Sequence, residues 1–376
     1  MSEEKYRLVT RSDFDGLVCA VLLNELNLID EITFVHPKDM QDGKVAITSR
    51  DITTNLPYVP GAHLVFDHHE SETVRNAGRR DTNHIIEAHA PSAARVVYNH
   101  YGGKAAFPRI TEEMMAAVDQ ADSAQYSRED ILDPQGWVLL NYLMDSRTGL
   151  GRFRDFRISN YALMMDLIKY CRDHTIEQIL ELPDVQERVA LYREHAVKAR
   201  EQLERCAIEL GNLVVLDLRQ EETIWATNRF MIYALFPQAN ISIHVMWGLQ
   251  KQNTVLATGK SILNRSSKTH VGNLMLEFGG GGHAAAGTCQ VANEKADAVL
   301  KMLVMPALAY AVARWGFGLD GHHLFAQVVI AALPTAQNVL VYAVRYQRGR
   351  SLARDSALVT TLASIPVITV IAVALG

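Results

Sequence analysis

Three short segments rich in carboxylate and imidazole carry the chemistry of this sequence. Arg11-Ser-Asp-Phe-Asp-Gly16 sets Asp13 and Asp15 two positions apart, and Asp67-His68-His69 joins a carboxylate to two imidazoles. Asp51 follows a further apolar run, and Asp119 and Asp122 lie three apart, on one face of a helical segment. Four or five carboxylates gathered with imidazoles repel one another unless a cation sits among them. Hard oxygen donors with an imidazole suit Mn2+ or Mg2+ better than the thiolate sets that favour zinc. Two such ions sharing a carboxylate clamp a phosphate and generate hydroxide near neutral pH, which is the logic of a two-metal hydrolase. The plainer reading makes Asp13 and Asp15 a turn and the N-cap of the following helix. Asp67-His68-His69, placed after another strand, weighs against it.

The elements around these residues alternate. Arg7–Thr10, Glu31–His36, Val45–Thr48 and His63–Phe66 read as strands, with helical periodicity over Leu17–Leu28. Strands alternating with helices imply an α/β fold with a parallel sheet. Ligands of such sheets bind outside the carboxyl ends of the strands. Each acidic segment follows a strand directly, so Asp13, Asp15, Asp51, Asp67 and His68 are expected on one rim. The metal assignment rests on Asp15, Asp51 and His68 sharing a common centre. Ser92–Tyr101, Glu112–Tyr126, Asn160–Asp173 and Val185–Leu210 read as helices, the last long and charged. A second β-rich unit follows at Leu213–Leu218, Ile241–Trp247 and Thr254–Ser261. Gly279-Gly-Gly-Gly-His283 then reads as a loop, because four glycines cost too much backbone entropy for a strand or helix interior. Its N–H groups are suited to a nest for phosphate oxygens. Arg265, upstream, offers a guanidinium fork for bidentate phosphate recognition.

The chain of 376 residues is 48% hydrophobic and 21% charged, which excludes a disordered or disulfide-scaffold protein. Cys19, Cys171, Cys206 and Cys289 are scattered without a C-x-x-C pair, as expected of free thiols in a reducing cytosol. The net charge of −5 hides a break in composition. Met302–Gly376 holds no Lys and no Glu; five Arg against two Asp give 5 − 2 = +3 there and 32 − 40 = −8 before it. An acidic body with few aromatics argues against long nucleic acid held in a basic, stacking groove. The tail has apolar stretches at Leu303–Gly318, Leu324–Val344 and Ala357–Leu375, with the basic turn Arg345–Asp355 between the last two. That pattern predicts a transmembrane-like helical hairpin whose basic turn lies on the cytoplasmic side. A buried apolar hairpin of a soluble protein is the alternative.

Arg11–Gly16, Asp67–His69 and Gly279–His283, in this order, resemble the DHH–DHHA1 phosphoesterase superfamily, with exopolyphosphatase-like and oligoribonuclease-like members, over residues 1–303. Met305-Pro-Ala-Leu-Ala, Ala331-Ala-Leu-Pro-Thr-Ala-Gln-Asn338 and Arg354-Asp355 resemble the C-terminal end of auxin-efflux-carrier-type transporters. The first resemblance implies a DHH domain over 1–155, a helical connector over 156–210 and a DHHA1 domain over 211–303, with the apolar tail over 304–376. It implies Asp13, Asp15, Asp51, His68 and Asp122 as ligands of two Mn2+ ions, or of Mg2+, with Asp119 competing for the place of Asp122. Asp67 would orient His68, and His69 would assist the leaving group. Arg265 and Gly280, Gly281, Gly282 and His283 would hold a substrate phosphate or terminal nucleotide. Arg11 stands where many members carry a metal-binding His or Asp; it would contact phosphate instead, or leave one ion weakly held. The expected function is metal-dependent hydrolysis of phosphodiester or phosphoanhydride bonds in short oligonucleotides, small nucleotides or polyphosphate. The alternative is a weakly catalytic nucleotide sensor, tethered by the tail to the inner face of the cytoplasmic membrane. A homodimer is the expected assembly.

Overall fold

The computed structural model describes residues 5–69, 72, 81–332, 364, 367–369, 371 and 372. They fall into two compact units, Met1–Ala199 with Trp225–Met231, and Arg200–Ile224 with Ile232–Gly376.

The first unit is built on a parallel sheet of β1 (Tyr6–Thr10), β2 (Ile29–Phe34), β3 (Asp51–Thr54), β4 (Leu64–Asp67) and β5 (His84–Ile86), in the order β2-β1-β3-β4-β5. The chain leaves β1 to one side for β2 and returns to its other side for β3, so the sheet's switch point lies between β1 and β3. The register aligns the carboxyl ends: Thr10 faces Thr54, Thr54 faces Phe66, and Asp67 faces Ile86. Leu8, Val9, Ile52, Val65 and Phe66 are buried between covering helices. The polar residues of the central strands satisfy each other, with the Thr54 hydroxyl donating to the Thr10 hydroxyl at 2.7 Å. Helix α1 (Phe14–Glu25) is buried from Phe14 to Leu23, a stretch in which Asp15 is the one charged residue. Gly16 allows it to start close to the end of β1, since a Cβ there would overlap the Arg11 carbonyl oxygen.

The third strand is displaced from its expected place. Val45 lies in a bend and Ile47 joins no ladder; they pack on Val9, Val35, Met40 and Leu56. The strand that pairs with β1 is Asp-Ile-Thr-Thr54, so Asp51 opens β3 instead of following a strand. Asp51 faces Arg7 in the ladder and is ion-paired with it, Arg7 Nε to Oδ1 at 2.7 Å. The residue at the carboxyl end of β3 is Asn55.

The second unit holds a six-stranded sheet in the order β10-β11-β9-β8-β7-β6, made of β6 (Ala207–Leu210), β7 (Leu213–Asp217), β8 (Ile241–Trp247), β9 (Thr254–Lys260), β10 (Gly281–Gly282) and β11 (Ala286–Val291). Only β7 and β8 run parallel. The long helix Pro183–Cys206 ends before β6, four residues short of the expected Leu210. The glycine run is also corrected, because Gly281 and Gly282 form a strand against Thr288 and Gly287. Its glycines serve close backbone approach: a Cβ on Gly280 would meet Cys289 Cα at 2.6 Å, and one on Gly272 would meet Gly282 C at 2.6 Å.

After the sheet come the helix Asn293–Ala311, a π-helical turn at Val312–Gly316 and the helix Gly321–Ala332. Met302, Ala313, Leu324, Val328, Val367 and Ile371 form one apolar cluster. No helix among the described residues is long and apolar enough to cross a membrane. The turn Arg345–Asp355 lies outside the described residues, as do 333–344 and most of Ala357–Leu375.

Candidate active site

Asp13 and Asp15 sit where β1 passes into α1. Asp13 is the N-cap, its Oδ1 accepting from Gly16 N at 3.0 Å. Asn55 Nδ2 lies 3.2 Å from the same oxygen, and Arg11 Nε lies 2.9 Å from Oδ2. Burial raises the Asp13 pKa, and the Arg11 charge opposes that shift. Asp15 points inward, its oxygens accepting from Ala93 N at 3.0 Å and Ala94 N at 2.8 Å. Those amides open the helix Ala93–His100, whose first N–H groups need acceptors and whose dipole favours an anion.

His68 follows β4 directly. Its Nδ1 lies 3.1 Å from the Ala90 carbonyl oxygen, which accepts only, so Nδ1 carries the proton. Nε2 is therefore the lone-pair atom of the neutral ring; it is buried without a hydrogen bond and lies 2.9 Å from Asp122 Oδ2. Asp15, His68 and Asp122 each offer a ligand atom within 4.8 Å of the others. Two lone-pair atoms cannot face each other stably at this distance; a proton or a cation must lie between them. The donor set, two carboxylates and an imidazole, fits a hard divalent cation. Without one, the groups hold protons instead. Burial and then the Asp122 charge push Asp15 up to about 7. Burial would lower His68, but Asp122 and Asp15 outweigh it and raise it to about 9. Asp122 is lowered despite its burial, because His68 stands beside it.

The structure separates Asp122 from Asp119. Asp119 accepts from the Ser92 hydroxyl at 2.7 Å and is ion-paired with Arg95 at 2.6 Å, so it braces two helices. Asp67 is fully buried and orients His69, not His68: its Oδ1 lies 2.7 Å from His69 Nδ1 and accepts from His69 N and His68 N. Burial would lower His69, but Asp67 outweighs it and raises the ring's pKa. Asp51, at the opposite end of its strand, is not among the gathered groups, so the expected common centre of Asp15, Asp51 and His68 fails at Asp51. In the second unit, Arg265 is exposed and donates to the Ile262 carbonyl at 3.0 Å. The N–H groups of Gly279, Gly280 and His283 are spent on Leu276, Met275 and Ala286 carbonyls, which leaves little of the expected nest.

Three site residues escaped the sequence reading. Arg147, Arg229 and Asp145 line one pocket with Asp13, Asp15 and Asp122. Arg147 donates from Nε to Asp145 Oδ1 at 2.7 Å. Only the Asp145-Ser-Arg147 turn carries a local signal; nothing in the sequence ties Arg229 to residues more than a hundred positions earlier.

Carboxylates and an imidazole are gathered at the carboxyl rim of a parallel α/β sheet, where such sheets bind their ligands. The chain is similar to PggH from Vibrio cholerae, described as a pGpG-specific phosphodiesterase: 64% identity, TM-score 0.72, covering 81% of this chain and 99% of that one. The chain belongs to the DHH-type phosphoesterases and is a phosphoester hydrolase. CDC45 from Entamoeba histolytica is a remoter likeness, with 10% identity, a TM-score of 0.41, and coverage of 78% and 93%. A family model described as a membrane transport protein matches residues 211–372, which include the tail. No curated protein sequence matches the chain.

Proposed function

We propose that the chain hydrolyses the phosphodiester bond of short oligonucleotides, and that the dinucleotide pGpG is its substrate. The observation that carries this reading is the convergence of Asp15, His68 and Asp122 in a chain 64% identical to a pGpG-specific phosphodiesterase. These three residues would hold one Mn2+ ion. When bound, such a cation supplies positive charge for the phosphoryl oxygens and lowers the pKa of a water so that it is nucleophilic near neutral pH. One ion is favoured over two because Asn55 occupies the strand end expected for Asp51, and Arg11 already neutralises Asp13.

The chain's own groups do the rest. Ala93 and Ala94 amides fix Asp15, and the Ala90 carbonyl fixes the His68 tautomer. Water oxygen bonds to phosphorus and the bond from phosphorus to the 3′ oxygen breaks. His69, with its Nδ1 proton held by Asp67, delivers a proton from Nε2 to that oxygen. Its raised pKa keeps this proton in place near neutrality. The reaction turns pGpG and one water into two GMP. Every residue named belongs to the first unit, so the tail contributes none of them.

The test is chromatography of products from pGpG, longer oligonucleotides, a cyclic dinucleotide and polyphosphate with Mn2+. GMP from pGpG at a rate well above the others is expected. Phosphate released from polyphosphate with pGpG intact would reject the substrate class.

A further inference from the structure

The segment Trp225–Met231 lies between stretches of the second unit yet belongs to the first. Its attachment is specific. Thr227 N donates to the Thr148 carbonyl at 3.1 Å. Asn228 Nδ2 donates to the Ile131 carbonyl at 2.9 Å and to the Tyr192 hydroxyl at 3.1 Å. Ala226 N donates to His195 Nδ1 at 3.3 Å, and Phe230 packs on Tyr126 with centroids 5.8 Å apart. A surface loop has no need of this many buried bonds. Their effect is to place Arg229 in the pocket of Asp13, Asp15 and Asp122.

Arg229 is poorly provided for in that place. Its Nε is buried without a hydrogen bond, while Asp145 is bonded to Arg147. The two guanidinium groups repel each other, and a buried donor without an acceptor is costly. The charges explain what would relieve this. Asp13, Asp15, Asp122 and Asp145 contribute −4 and Arg11, Arg147 and Arg229 contribute +3, a sum of −1 with His68 neutral. Cation binding needs His68 deprotonated, so one divalent cation brings the loaded pocket to +1, a charge that favours an anion. A phosphodiester brings one negative charge and two non-bridging oxygens, and a guanidinium fork matches such oxygens.

We infer that Arg229, presented by the folded-back segment Trp225–Met231 with Arg147 beside it, grips the non-bridging oxygens of the scissile phosphate. This rests on the phosphodiesterase reading of the site but not on the identity of the nucleotide. The charge gathering on those oxygens as water attacks makes the contact stronger in the transition state than in the substrate, so Arg229 acts on kcat as well as KM.

The full-length chain and its Arg229→Ala and Arg229→Lys variants are compared in three measurements. Calorimetry with Mn2+ should give affinities within about twofold of one another. Calorimetry of the Mn2+-loaded proteins with inorganic phosphate should show binding at least about tenfold weaker for Arg229→Ala. Turnover of bis(4-nitrophenyl) phosphate, a diester without a nucleoside, should fall in kcat/KM by about 10²–10³ for Arg229→Ala, with partial recovery for Arg229→Lys or on adding guanidinium. Phosphate binding unchanged in Arg229→Ala, or absent from the parent chain, overturns the inference. So does a loss of Mn2+ binding together with activity, which would make Arg229 a structural residue. Turnover of the synthetic diester with pGpG untouched would reject the substrate while leaving Arg229 in its role.

Discussion

Binding of Mn2+ to the metal-free chain should expel protons, with a pH dependence set by the site's own groups. His68 is raised to about 9 by its carboxylate neighbours, and Asp15 to about 7, chiefly by burial. A cation needs both groups deprotonated. Between pH 7 and 9 the apparent affinity should rise by about tenfold per pH unit, with about one proton released per ion. Below pH 7 Asp15 also holds a proton, and the slope should approach about a hundredfold per unit. Stability of the metal-free chain runs the other way. A histidine raised from 6.5 to about 9 contributes stability that is whole below pH 6.5 and is lost as pH climbs through 9. That contribution is roughly 3 kcal/mol for a shift of this size. The gain in Tm on adding Mn2+ should therefore widen with pH. Calorimetry at pH 6, 7 and 8, in buffers of different ionisation enthalpy, counts the protons directly. An affinity flat across this range, with no proton release, would refute the placement of His68 Nε2 as a ligand.

Other substitutions separate the site from its supports. Asp122→Asn should abolish Mn2+ binding and hydrolysis; Asp119→Asn should keep Mn2+ binding and cost roughly 1–3 kcal/mol in denaturant unfolding, as its bonds to Ser92 and Arg95 are lost. Asp51→Asn should cost about 2 kcal/mol by leaving Arg7 without its partner, at unchanged metal stoichiometry. Arg11→His combined with Asn55→Asp should raise the Mn2+ content measured by elemental analysis from about one toward about two, since both changes add donors beside Asp13. Gly16→Ala should fail to fold or lose the site, because its Cβ overlaps the Arg11 carbonyl; native-like near-ultraviolet circular dichroism with full activity would contradict that.

Much of the first unit is legible in sequence because local signals and tertiary packing agree. Arg11–Gly16 and Asp67–His69 follow apolar runs that are strands, and the glycine and aspartates have no better place than the turns beyond them. The ladder Ile241–Trp247 and the helix Asn160–Asp173 end where periodicity ends. Asp51 was misplaced because Val-Ala-Ile-Thr48 is as strand-like as Ile-Thr-Thr54; only pairing with β1 chooses between them, and the wrong choice moves an acid from one end of the sheet to the other. Asp119 and Asp122 share a helix face, so periodicity is blind to the difference that Arg95 makes. The glycine run was read through backbone entropy, whereas tight contact with Thr288, Cys289 and Gly272 decides its conformation. The family resemblance implies Asp67 as the partner of His68, but the His69 ring, two residues along, is the one aimed at it. Arg229 illustrates the remaining gap, since a long-range fold-back leaves no periodic trace.

The most direct measurement of the central claim is anomalous diffraction at the manganese edge from crystals grown with Mn2+. One strong peak bound by Asp15, His68 and Asp122 is predicted, with Asp51 still paired to Arg7. A peak ligated by Asp51, or no peak among those three residues, would contradict the account.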